Sequence, residues 1–269
     1  VRRSSRLLQD PTRLGPSLFA AEPRARWGLP RRLREISGLA VTSDGRVMGH
    51  DDERAVIYEL DVSAGAIVKR FRLGDPVVRG DFEGLAIGAG GRFYLVTSSG
   101  LIHAFDEGDD RGQVEFQVFD SGLAGTGEVE GVAWDALGER LILAYKMNHS
   151  PALQGALALY AWSPSTPDQR ARPWLTVPAY PLAEAVGARA FHPSGLEVDA
   201  RTGRLVIVAS LENALVELDS EGALLAARHL GVRHRQPEGV TILPDGALVI
   251  ADEARGEAAS LTCYARLEP

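Results

Sequence analysis

The stretch "QPEGVTILPDGALVIADEARGE", residues 236–257, sets acids at both ends of an apolar run that turns at Asp245-Gly246. Four other stretches repeat its opening: "EISGLAV" from Glu35, "DFEGLAI" from Asp81, "EVEGVAW" from Glu128 and "HPSGLEV" from His192. Their glycines are Gly38, Gly84, Gly131, Gly195 and Gly239, spaced 46, 47, 64 and 44 residues apart. A second glycine follows each after 7 or 8 residues, at Gly45, Gly91, Gly138, Gly203 and Gly246. A register kept five times marks an internal repeat.

Each unit continues in one pattern. A short apolar run follows the first glycine, and the turn often carries Asp-Gly or Gly-Gly, a strong hairpin signal. A second run ("RFYLVTS", "RLVIVAS", "ALVIAD") and a third ("AVIYELD", "LIHAFDE", "ALALYAW", "ALVELDS") come next, and a weaker fourth closes most units, as in "AIVKRFRL". Four strands in about 45 residues is the period of a propeller blade. The expected fold is therefore all-β, a five-bladed β-propeller over residues 31–269, with blades starting near 36, 82, 129, 193 and 237. The fifth unit ends after its third strand, so an N-terminal arm, residues 1–30, is expected to close the last blade and leave no open edge. Surplus residues in unit three, roughly 148–191, read as a Pro- and Ala-rich insertion projecting from the rim, with "PLAEAVGARA" as its one helical stretch.

Bulk properties narrow the function. A net charge of −7 argues against a nucleic-acid partner and favours a cationic or metal ligand. The single cysteine, Cys263, excludes an internal disulfide. No apolar run approaches the roughly 18 residues of a membrane span. A monomer is expected, periplasmic or secreted if a signal segment has been removed and cytoplasmic otherwise.

In a blade, the residue before the inner strand and the residue after the second strand share one face of the disc. The positions before the motif glycines hold Ser37, Glu83, Glu130, Ser194 and Glu238. After the second strands of units one and five stand Asp51-Asp52 and Asp252-Glu253. Up to seven carboxylates are thus expected at one channel mouth. Two like charges 4 Å apart at an effective dielectric of about 20 repel by roughly 4 kcal/mol. Such a cluster calls for a cation or for protons, and calcium suits an irregular ring of oxygen donors. Glu83, Glu130 and Glu238 are the first candidate ligands, with Asp51 and Asp252 next; Ser37, Ser194, His50, His192 and Glu253 are further candidates for the mouth. Against this stands a bland reading, in which strand-end acids face water or fix turns. Lys146, at the end of a second strand, is placed to offset the acids or to meet a phosphate. Neither a G-x-S-x-G nucleophile elbow nor a phosphate loop is present.

The segments "ISGLAV", "HDDERAVIYELD", "DFEGLA", "EGVAWD", "HPSGLEVD" and "QPEGVTILPDGALVIADE" together resemble the SdiA-regulated family of bacterial proteins, over about residues 33–269. The resemblance implies a five-bladed propeller, distantly akin to NHL repeats, with a calcium-binding site. Serine rather than acid in units one and four departs from a full acidic ligand set. Three functional readings follow. The first is a calcium-binding propeller recognising a small molecule or a protein partner at its acidic mouth. The second is a metal-dependent hydrolase of an ester, lactone or phosphoester, and the third an interaction scaffold without metal.

Overall fold

Residues 2–3 and 14–267 are described by the structure, a computed structural model. They form five sheets arranged as a five-bladed β-propeller. The inner strands are Ile36–Val41, Phe82–Ile87, Gly127–Asp135, Gly195–Val198 and Pro237–Ile242, so each blade begins at its sequence motif. Each inner strand pairs antiparallel with the next strand in sequence, and each blade extends outward as a meander. No helix among the described residues is long and apolar enough to cross a membrane.

The fifth blade closes as expected. Its three C-terminal strands are joined by Phe19–Gly28, which runs antiparallel to Ser260–Arg266. Arm residues 1 and 4–13 lie outside the described residues, while Arg2–Arg3 pairs in parallel with Leu175 and Thr176 of blade three. The closing strand has a buried anchor. Ser17 Oγ and the Leu18 amide both donate to Glu217, a fully buried carboxylate of blade four that also accepts from Arg204.

Unit three departs from expectation. Residues 148–191 do not project as an insertion: Ala156–Trp162 and Arg172–Pro178 are the two outer strands of blade three. The two prolines of the second, Pro173 and Pro178, stand near its two ends, and its outer side pairs in parallel with Arg2–Arg3. The following helix, Ala179–Ala185, buries Leu182 and Ala183 against blades three and four instead of facing solvent.

Five apolar clusters fill the five interfaces between neighbouring blades, so the core is a ring of wedges and not one central mass. The motif glycines set how closely the wedges approach the axis. A Cβ on Gly38 would lie 2.9 Å from the Leu85 amide nitrogen, and one on Gly84 2.5 Å from Val132 Cγ2. On Gly131 and Gly239 it would meet Leu196 and Leu39 at 2.9 Å, and on Gly195 it would strike the Glu238 carbonyl oxygen. Each contact is with the next blade, and the fifth returns to the first. Only glycine permits backbones this close.

Candidate functional site

In blades one, two, three and five the residue before the motif glycine occupies a β-bulge. Register breaks fall between Phe82 and Gly84, Val129 and Gly131, Pro237 and Gly239, and across Ile36–Leu39. Glu83, Glu130 and Glu238 are thereby the extra residues of their strands, and a bulge re-aims the side chain it carries. In blade four Ser194 precedes the strand and does the same, its amide and Gly195 both facing Val208. The five inner strands leave a narrow space of about 10 Å³, lined by Glu83, Glu130, Ser194 and Glu238, which is room for one water-sized occupant.

The three glutamates feel one another. Burial is the main force pushing Glu83 up to about 9, with the charges of Glu130 and Asp81 adding to it. Burial and then Glu130 push Glu238 up to about 8. Glu130 rises less, to about 7, because Lys146 Nζ donates to its Oε1 at 2.7 Å against the burial penalty. Burial disfavours the Lys146 ammonium, but the bond to Glu130 and the charges of Glu130, Glu238 and Glu128 outweigh it and hold the lysine protonated. One cation therefore stands among three carboxyl groups.

The serines at the same positions serve the ring. Ser194 Oγ donates to the Pro237 carbonyl at 2.6 Å, and Ser37 Oγ lies 3.5 Å from the Glu83 carbonyl oxygen and from its Oε2. His50 is fully buried; burial drives its pKa down to about 4, Nδ1 bonds the Asp51 carbonyl, and Nε2 has no partner. His192 is held in a loop of blade four by Glu212, through its amide and Nδ1.

The structure does not bring the remaining acids to this space. Asp51 accepts from the Arg54 amide at 3.0 Å, faces Tyr58 Oη at 3.4 Å, and lines a cleft on blade one. Asp252 accepts from His234 at 2.7 Å, and the other ring nitrogen of His234 meets Tyr264 Oη at 2.6 Å in a buried relay that braces blade five. Asp52 and Glu253 form a second acidic group with Glu35 between blades one and five. Burial and then Glu35 raise Asp52 to about 6, and burial followed by Asp52 raises Glu253. Among the described residues, no three His, Cys, Asp or Glu side chains stand gathered at metal-binding distance.

This glycine-set ring, with its bulged acids, is the frame against which known proteins compare. Residues 184–266 match the SdiA-regulated family model. That match covers blades four and five and agrees with the resemblance carried by the motifs of the whole repeat. No curated protein matches the sequence. Solved structures similar to this propeller include glutaminyl cyclase from Myxococcus xanthus, with TM-score 0.60 and 13% identity over 92% of this chain and 97% of that one. A PQQ-bound aldose sugar dehydrogenase from Streptomyces coelicolor gives 0.59 and 11% over 93% and 99%. A gluconolactonase from Xanthomonas campestris gives 0.51 and 15% over 86% and 72%. At these identities the likeness is one of fold, and folds of this kind host unrelated chemistries.

Proposed function

We propose that this propeller binds one hard divalent cation, calcium first, among Glu83, Glu130 and Glu238, and that the ion helps to hold a small oxygen-bearing molecule at the channel mouth. The observation that supports the reading is the crowding of buried carboxyl groups at the bulges. Three buried carboxyl groups share one space, and a single ammonium, on Lys146, answers them. The donor types suit such an ion, being all oxygen and lining a space of about one water, and the three carboxyl groups, which do not stand gathered at metal-binding distance, would have to draw in around it. Bound there, calcium supplies charge neutralisation and open coordination positions. Glu130 would exchange Lys146 for the ion, while Glu83 and Glu238 would release their protons to solvent.

Calorimetric titration of calcium into the metal-free protein, paired with thermal melting, tests the reading. A ligand that binds the native state alone raises the melting temperature. Glu238→Gln removes one charge at nearly constant shape and is expected to weaken binding about tenfold or more, since ligand charge sets calcium affinity. A parent protein with no calcium-dependent melting shift and no heat of binding would end the proposal.

A further inference from the structure

A second, oppositely charged site lies on the outer half of blade one, where a cleft of about 640 Å³ is lined largely by arginine. Three separate segments deliver the guanidinium groups. Arg31 and Arg32 come from the single turn Arg31–Leu33, anchored by the fully buried Leu33. Arg54 follows the blade's second strand. Arg70 and Arg72 stand on Ala66–Leu73, two residues apart and so on one face, opposite Tyr58 and Val56 of the neighbouring strand. Arg111 arrives from the loop that leaves blade two, where its amide donates to the Arg70 carbonyl at 2.6 Å and the Arg72 amide donates to the Gly112 carbonyl at 3.1 Å.

The positive charge is under-compensated. Among the described residues Arg31, Arg32, Arg54 and Arg70 form no ion pair, whereas Arg72 reaches Asp75 at 3.1 Å and Arg111 reaches Asp110 at 3.5 Å. Arg72 Nε is buried without a hydrogen-bond partner. Arg111 holds φ at 59°, a left-handed conformation that costs a side-chain-bearing residue and persists where its surroundings impose it. Arg32 and Arg54 both act on the Tyr58 hydroxyl, working against the burial that raises it. These groups therefore converge on one volume.

We propose that this cleft binds a small organic phosphate carrying two or more negative charges. Guanidinium forks match phosphate oxygens in pairs. Val56 and Val77 supply apolar surface, and Asp51 and Glu53 are acceptors for hydroxyl groups of the organic part. The size argues for a small ligand: a cleft of this volume accommodates a sugar phosphate. Charge argues the same way, because a chain of net charge −7 disfavours an extended polyanion overall. The proposal stands independently of a cation at the channel mouth.

The test is calorimetric titration of the full chain with pyrophosphate, glucose 6-phosphate and glucose, in calcium-free buffer at low and moderate salt. Both phosphates are expected to bind with sub-millimolar affinity, weakened several-fold by salt, and glucose is expected not to bind. Arg54→Gln with Arg70→Gln should weaken phosphate binding about tenfold or more and leave calcium titration unchanged. Arg111→Gly separates recognition from folding. It should raise the melting temperature by removing the left-handed side-chain cost, yet weaken phosphate binding at least several-fold. Absence of phosphate binding to the parent, or undiminished binding in folded Arg111→Gly, would overturn the proposal.

Discussion

Calcium affinity is expected to rise steeply with pH through neutrality, because the ion competes with protons as well as with Lys146. Burial holds Glu83 near about 9, Glu238 near about 8 and Glu130 near about 7. At pH 7 burial leaves Glu83 and Glu238 mainly protonated and Glu130 less so. The steps belong to the cluster more than to single residues, but their sum is about two protons. Each proton released on binding adds one logarithmic unit of affinity per pH unit. The apparent Kd should therefore fall roughly 100-fold between pH 6.5 and 7.5, and about tenfold if only one protonated glutamate takes part.

Titrations at pH 6.5, 7.0 and 7.5, each in two buffers of different ionisation enthalpy, measure both the affinity and the protons released. Lys146→Met serves as an internal control. It removes the competing ammonium, so calcium should bind more tightly, and Glu130 should enter the site more protonated, so proton release should increase. A Kd flat across this range, with no proton release, would refute the reasoning whatever the affinity. The same linkage has a sign for stability. These glutamates bind protons more tightly in the folded chain than at their ordinary value of 4.5. The metal-free protein should thus lose melting temperature as pH rises from about 5 towards 9, and saturating calcium should offset much of that loss.

Two further outcomes probe the architecture. Gly195→Ala drives a methyl group into the Glu238 carbonyl of the next blade; overpacking of this kind costs about 1–3 kcal/mol, so thermal melting should fall by several degrees. Removing residues 1–28 strips the closing strand and the donors at Ser17 and Leu18 from buried Glu217. The truncated chain should aggregate or melt at least about 10 °C lower by scanning fluorimetry, and a melt within a degree or two of the parent would show that the closing strand contributes little.

The blades were legible because one grammar repeats five times, and the motif glycines were legible because each meets the same steric demand. Blade three was harder to read. Two prolines in "RPWLTVP" disguised the fourth strand, and the long connections around it looked like an insertion. The bulge glutamates could be grouped from their shared offset alone. The second-strand acids could not, because offset fixes height along the axis and not the face a side chain takes. Asp51 and Asp252 turn outward to Tyr58 and His234, while Lys146, from a longer second strand, reaches Glu130. The basic cleft draws on residues 31, 54, 70 and 111, a spread that no local motif could register.

The order of the bulge residues around the ring explains why the channel mouth is unbalanced. Reading from blade one, the positions hold Ser37, Glu83, Glu130, Ser194 and Glu238. Glu83 and Glu130 are neighbours, whereas Glu238 lies between the two serine blades and so faces the pair across the axis. Lys146 springs from blade three and bonds Glu130, the nearer member of that pair, at 2.7 Å. It eases Glu130 most, which is why Glu130 rises least and Glu83 and Glu238 stay higher. An ammonium tied to one side of a ring cannot neutralise carboxylates on both sides. A cation near the axis can, since every bulge aims there and attraction to each carboxylate grows as distance shortens. The repeat therefore builds five equivalent positions, and the choice of residue at each one decides whether a proton, a lysine or a metal ion holds the centre.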